Sequence, residues 1–251
     1  MAGYVGNILV IYDIRSPDRP EEVSRWWLPG QHIAGGETPD PQGRRHRLHH
    51  ALRFGDELWA SCWYAGLRVI DVSNIRAPRA VGQYNYHPPF PEPSHTFMPV
   101  PTVIDGRRIA LAIDEEEQGQ NPADIEQRRG RPHGCLMVLD VTDRANLQPL
   151  ALFEVSELDS PWSRATLQRF GANQFQEHME DTLAYCAWFA GGLRIVDVAD
   201  PYAPREVGYF IPEPSAGKAA PQTNDVDTDG RGLIYIVDRH GGFDVLEFAR
   251  G

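Results

Sequence analysis

Histidines at the starts of β-rich runs are the residues of this chain with the clearest chemistry to offer. His49 and His50 open the run HHALRF, and His95 follows the first residue of SHTFMPV. At the matching place in two later runs stand Asn173-Gln174, in NQFQE, and Asn224-Asp225, in TNDVDT. Imidazoles brought together can hold a transition-metal ion such as iron, copper or zinc, and nearby carboxylates orient or complete such a site. The acidic candidates are Glu37, Asp114, Glu115, Glu177 and Asp225, with Glu115 and Glu177 suited to serve as a third ligand or as acid and base. Neighbouring strand residues point to opposite sides, so one of His49 and His50 is expected to face the site. Two imidazoles are fewer than the three protein ligands usual for zinc. A hydrogen-bonded polar channel is therefore the competing reading of the same residues. His46, His87 and His240 lie in turn-like contexts and are expected at the surface. The GxSxG elbow, the P-loop, GxGxxG, HExxH and CxxC are all absent.

The elements that must position these residues follow from a repeat. ILVIYDI, GLRVIDV, CLMVLDV, GLRIVDV and GFDVLEF align on an acidic residue at Asp13, Asp71, Asp140, Asp197 and Glu247. Pro20, Pro78 and Pro204 stand seven residues beyond it, and Leu147 breaks that rule. A further β-rich run follows each of the first four segments, and another (ELWASCW, IALAID, LAYCAWF, LIYIVD) precedes each of the last four. Short runs rich in β-branched and aromatic residues, bounded by Gly, Pro, Asp and Asn, are strands. Four antiparallel strands in about 50 residues are the signature of a propeller blade. The prediction is one all-β domain over 1–251: a β-propeller of five units near 1–30, 48–90, 94–155, 171–213 and 222–251. The strand count is 17, with two in the first unit and three in the last. The repeated acid is read as structural, capturing backbone N–H groups in the following turn. Trp26, Trp27, Trp63 and Trp188 are expected between blades, HPPFPEP (87–93) as a polyproline-like rim of the channel mouth, and one helical turn near Ala123–Gln127.

GLRVIDVSNIRAPRAVG and GLRIVDVADPYAPREVG closely resemble the repeat of the LVIVD family of bacterial β-propeller proteins. AGGETP, LHHAL, SHT, AIDEE, FGANQ, QTNDV and GLIYIVDR carry the likeness along nearly the whole chain. The resemblance implies the propeller fold, and implies that this chain matches the C-terminal part of longer members. It also implies that Asn173 stands where relatives often have a histidine. It implies no settled activity.

Composition narrows the function. The net charge is −11 and the longest basic cluster is Arg44-Arg45-His46-Arg47, read as a solvated loop; this argues against a nucleic-acid partner. No apolar run is long enough to span a bilayer, so no membrane partner is expected. Cys62, Cys135 and Cys186 sit in apolar runs as free thiols, which, with no basic stretch before Asp13, predicts a cytoplasmic protein. The 23 glycines and 21 prolines suit many turns. Two readings stand. One is a metal-assisted enzyme acting on a small organic molecule at the propeller channel, with His49 or His50 and His95 as ligands. The alternative is a non-catalytic binding or assembly module. Incomplete terminal units also predict a homo-oligomer, with a dimer the simplest case.

Overall fold

The second, third and fourth of the GLRVIDV-type segments become strands inside small antiparallel sheets, and the first and last become strands of sheets with fewer members. The apolar residues of the inner strands pack against a neighbouring sheet. In a computed structural model, residues 3–41, 45–117, 132–163 and 168–249 are described. The expected helical turn at Ala123–Gln127 lies outside them, as does Arg44. Seventeen strands are present among the described residues, numbered β1 to β17 in chain order. The first sheet pairs β1 (Leu9–Asp13) with β2 (Glu21–Trp26). The second holds β3 (His46–Phe54), β4 (Glu57–Trp63), β5 (Leu67–Asp71) and β6 (Arg79–Tyr84). The third holds β7 (Ser94–Pro99), β8 (Ile109–Asp114), β9 (Leu136–Asp140) and β10 (Gln148–Phe153), and is joined to the second by one bridge, Trp63 to Ser94. The fourth holds β11 (Gln174–Phe175), β12 (Leu183–Trp188), β13 (Gly192–Asp197) and β14 (Arg205–Phe210). The fifth holds β15 (Thr223–Thr228), β16 (Leu233–Asp238) and β17 (Gly242–Glu247).

Period-two alternation assigns each strand's residues to two interfaces. On β4, Leu58, Ala60 and Cys62 pack toward Trp26 and Leu28 of the first sheet, while Trp59 packs toward Phe97 and Met137 of the third. On β8, Ala110 and Ala112 face the second sheet, and Ile109, Leu111 and Ile113 join Phe175, Cys186 and Trp188 of the fourth. Leu183, Ala187, Leu193 and Ile195 then meet Val226, Ile234 and Ile236 of the fifth. Each fully buried Leu, Ile or Phe contributes about 1.5–3 kcal/mol, so these interfaces hold the sheets face to face. Among the described residues no apolar cluster joins the fifth sheet to the first. Val237, Phe243 and Val245 remain exposed on the fifth.

The repeated acids behave as local anchors. Asp13, Asp71, Asp140 and Asp197 each accept the backbone N–H two residues on, at 2.9–3.0 Å. The three cysteines are buried and free. No helix among the described residues is long and apolar enough to cross a membrane.

Three expectations need correction. Trp63 joins no apolar cluster among the described residues: it adopts a positive φ of 52° and lies half-buried beneath Arg47, 3.5 Å from ring centre to guanidinium carbon. Trp27 belongs to an aromatic group with Tyr4 and His32 rather than to a core cluster. The HPPFPEP segment turns rather than extends: His87–Pro88 and Pro88–Pro89 are cis, and Phe90 N–H donates to Tyr86 O. It borders a cleft of about 570 Å³ with Arg45, His46 and Tyr64. His87 is part-buried there, its Nδ1 3.0 Å from Phe90 O. The basic cluster is likewise engaged: Arg45 stacks on Tyr64 at 4.1 Å and His46 Nδ1 meets Asp40 at 2.7 Å.

Candidate metal and ligand site

The first strand of each of the last four units lies innermost, with β3 beside β7, β7 beside β11 and β11 beside β15. Their polar first residues therefore meet. His49, His95 and Glu115 each offer a ligand atom, and these atoms all lie within 4.8 Å of one another. The rings of His49 and His95 meet edge to face at 4.4 Å, and His49 Nε2 is 3.7 Å from a Glu115 oxygen. His50 is also close, 5.8 Å from His95 between ring centres. Strict alternation would have separated His49 from His50. The β3–β4 register shifts between His46 and His50, and a bulge re-aims side chains in this way.

Thr96 links the two histidines. Its hydroxyl oxygen is 2.7 Å from His95 Nδ1 and 3.1 Å from His50 Nδ1, while His50 Nε2 is 3.1 Å from Glu177. With neutral rings, one assignment satisfies every contact. His50 Nε2–H donates to Glu177, Thr96 O–H donates to His50 Nδ1, and His95 Nδ1–H donates to Thr96. That leaves the lone pair of His95 on Nε2. Burial holds His95 well below the usual imidazole range, and the neighbouring His49, His50 and Arg239 add to this. His49 is also held down by burial, with Glu115 pulling the other way. Both rings are thus neutral near pH 7, as metal ligands must be.

Glu115 is fixed by cations that the sequence reading did not single out. Arg169 Nη1 lies 2.9 Å from Glu115 Oε1, and Arg239 Nη2 lies 4.0 Å from the same oxygen. Gln222 in turn fixes Arg169: its side-chain amide donates to Arg169 O and its amide oxygen accepts Arg169 N–H. Glu177 contacts His50 rather than the ligand group. Asn173 donates to the backbone oxygen of Asn224, and Gln174 to the Asp225 carboxylate, across the β11–β15 seam. Burial raises the Asp225 carboxyl, and nearby Glu177 adds to this.

Two acidic candidates do not join the histidines. Asp114 is adjacent to Glu115 and so turns the other way. Its fully buried carboxylate accepts the Tyr86 hydroxyl at 2.7 Å, and burial raises it to about 7. Glu37 is consumed locally, by Trp27 Nε1–H and the N–H groups of Gly30 and His32. Another carboxylate, Glu116, was not anticipated. It is fully buried and accepts Phe170 N–H and Gly171 N–H, tying the third unit to the approach to the fourth.

Four-stranded antiparallel sheets packed face to face, with their innermost strands around one polar site, define a β-propeller. Comparison with solved structures agrees. The periplasmic gluconolactonase PpgL of Pseudomonas aeruginosa matches with a TM-score of 0.60 at 13% identity, over 97% of this chain and 60% of that one. The β-propeller domain of Myceliophteria thermophila Cps50 (Swd1) matches with a TM-score of 0.53 at 13% identity, over 96% of this chain and 64% of that one. The chain thus spans about three fifths of the length of these structures. The LVIVD repeat model matches two stretches of the chain, residues 61–86 and 182–211. No curated protein matches it in sequence.

Proposed function

We propose that the inner-strand site is a metal-assisted active site for a small organic molecule. The observation that carries this reading is the convergence of His49, His95 and Glu115 within 4.8 Å. Two neutral imidazoles and one carboxylate form a three-ligand set that leaves a position open for water or substrate. Such a set suits zinc, and also iron(II) in the arrangement of two histidines and a carboxylate. A bound ion would acidify water or polarise a carbonyl. The chain's own residues supply the rest: Thr96 holds the His95 lone pair on Nε2, and Arg169 orients Glu115. His50 with Glu177, linked through Thr96, is placed to move a proton at the site's edge. The likeness to a gluconolactonase is one of fold alone, and fold does not fix function.

A binding module remains the second reading, because Arg169 and Arg239 already balance Glu115. Metal analysis of protein purified without a histidine tag separates the two. Stoichiometric uptake of one transition metal, lost in His95→Ala and Glu115→Gln, is the expected result. No uptake, with none gained on reconstitution, overturns the metal reading in favour of the binding module.

A further inference from the structure

Arg169 and Arg239 come from different units, yet both guanidiniums lie over the ring of Phe189, at 4.7 and 5.5 Å from its centre. Gln222 anchors both. Its side chain grips the Arg169 backbone, and its carbonyl oxygen accepts Arg239 N–H at 3.0 Å. Glu115 is the one carboxylate within 4.0 Å of either side chain among the described residues, and it also faces His49. The two guanidiniums therefore share one directly paired carboxylate. Glu177 and Asp225, the other acids of the inner strands, are engaged with His50 and Gln174.

The two arginines are differently employed. Arg169 is buried and spends its guanidinium on Glu115 and on the backbone oxygen of Glu116. Arg239 places only Nε in a hydrogen bond, to Asn224, and its side chain is 41% exposed. Its two Nη groups make no hydrogen bond among the described residues. A guanidinium held by its stem, backed by an aromatic ring and a second cation, presents a rigid planar fork of donors.

We infer that Arg239, supported by Arg169 on Phe189, is a subsite for the carboxylate of a small organic ligand, next to the His49–His95–Glu115 group. A planar carboxylate fits the fork geometry of the Arg239 guanidinium. The chain is strongly acidic overall, so a pair of arginines here is a local feature rather than part of a general basic surface. The inference adds a substrate class to the proposed active site and rests on that reading for catalysis, though not for binding.

Ligand-observed NMR on the full-length protein, stripped of metal with a chelator, tests it with butyrate, butyramide and inorganic phosphate as probes. Butyrate is expected to bind and butyramide not to bind. Arg239→Gln should weaken butyrate about tenfold or more, since hydrogen bonds to charged groups are worth that much. Arg239→Lys should fall between, because it keeps the charge and loses the fork. Equal binding of butyrate and butyramide, unchanged affinity in Arg239→Gln, or a preference for phosphate would overturn the subsite. Metal uptake measured on the same preparations separates the two claims. Butyrate binding without metal uptake keeps the subsite and removes the metal, while metal uptake without butyrate binding does the reverse.

Discussion

Thr96 places one buried hydroxyl between two imidazoles, within hydrogen-bond distance of Nδ1 of both His95 and His50. Replacing it with valine keeps the shape and removes the hydroxyl. His95 and His50 would then lose the Nδ1 partner that fixes their tautomers. Loss of such a supporting contact usually costs about 10–100-fold in metal affinity. Thr96→Val should therefore fold normally, bind metal that much more weakly in a chelator competition, and show mixed His95 tautomers by ¹⁵N NMR. Unchanged affinity would mean that the hydroxyl has no part in holding the ligand. His87 offers a residue-scale test that is independent of the site. Burial pushes its ring down to about 4, against about 6.5 in the unfolded chain. Between those values the unfolded state takes up a proton that the folded state refuses. Stability therefore falls as pH drops from about 6.5 to about 4 and levels off below. The full effect is at most about 3 kcal/mol, reduced by the ring's partial exposure. His87→Gln should flatten this acid limb in a series of thermal melts from pH 7 to pH 4. Identical limbs in both proteins would show that other groups set the acid sensitivity.

At the scale of elements, glycine shows how the repeat is built and where it stops. Gly66 and Gly192 start equivalent strands with φ of 73° and 79°. A Cβ on either would collide with the outer strand, at Tyr84 O for Gly66 and at Phe210 O for Gly192. Gly242 occupies the same place in the fifth sheet with φ of 88°, but a Cβ there would meet nothing within 4 Å. The fifth sheet has three strands among the described residues, and none lies in the position of β6 or β14. Gly192→Ala and Gly66→Ala should therefore cost about 3 kcal/mol or more, from the left-handed backbone and the clash together. Gly242→Ala should cost only the backbone part, about 1–2 kcal/mol. Denaturant midpoints of the three variants check the ranking, and equal losses would contradict it. Most of these elements were legible in the sequence, because the period and the strand chemistry recur in every unit. Exceptions come from single side chains. β11 is only two residues long: beyond it Gln176 N–H still donates to Tyr185 O, but Tyr185 N–H is taken by the Gln176 side-chain oxygen, and the Gln176 amide nitrogen donates to Leu183 O. Trp63 left the core because a positive φ at its turn carries the ring under Arg47.

At the scale of the whole molecule, the site is a property of the arrangement rather than of any one unit. His49 comes from the second sheet, His95 and Glu115 from the third, Arg169 from the approach to the fourth, and Arg239 from the fifth. His49, His95 and Glu115 stand out in the sequence because they sit at the starts or ends of repeating runs. Arg169 lies in a connection with no repeating pattern, and Arg239 follows LIYIVD as Glu115 follows IALAID; the pairing of either arginine with Glu115 emerges only when sheets from distant parts of the chain converge. The same convergence couples ligand binding to stability. An ion held by His49, His95 and Glu115 would tie the second sheet to the third, and Glu115 is itself tied to the approach to the fourth and to the fifth through Arg169 and Arg239. A ligand that binds only the folded state adds about 2.7 kcal/mol at a hundred times its Kd. For a chain of this size each kcal/mol raises Tm by about 2–4 °C, so saturating metal should raise it by several degrees. The rise should vanish in His95→Gln, where one ligand nitrogen is gone and the sheets still pack. It should persist in Gly242→Ala, which removes no ligand atom and meets open space. A rise of equal size in wild type and His95→Gln would place the bound ion elsewhere on this acidic protein.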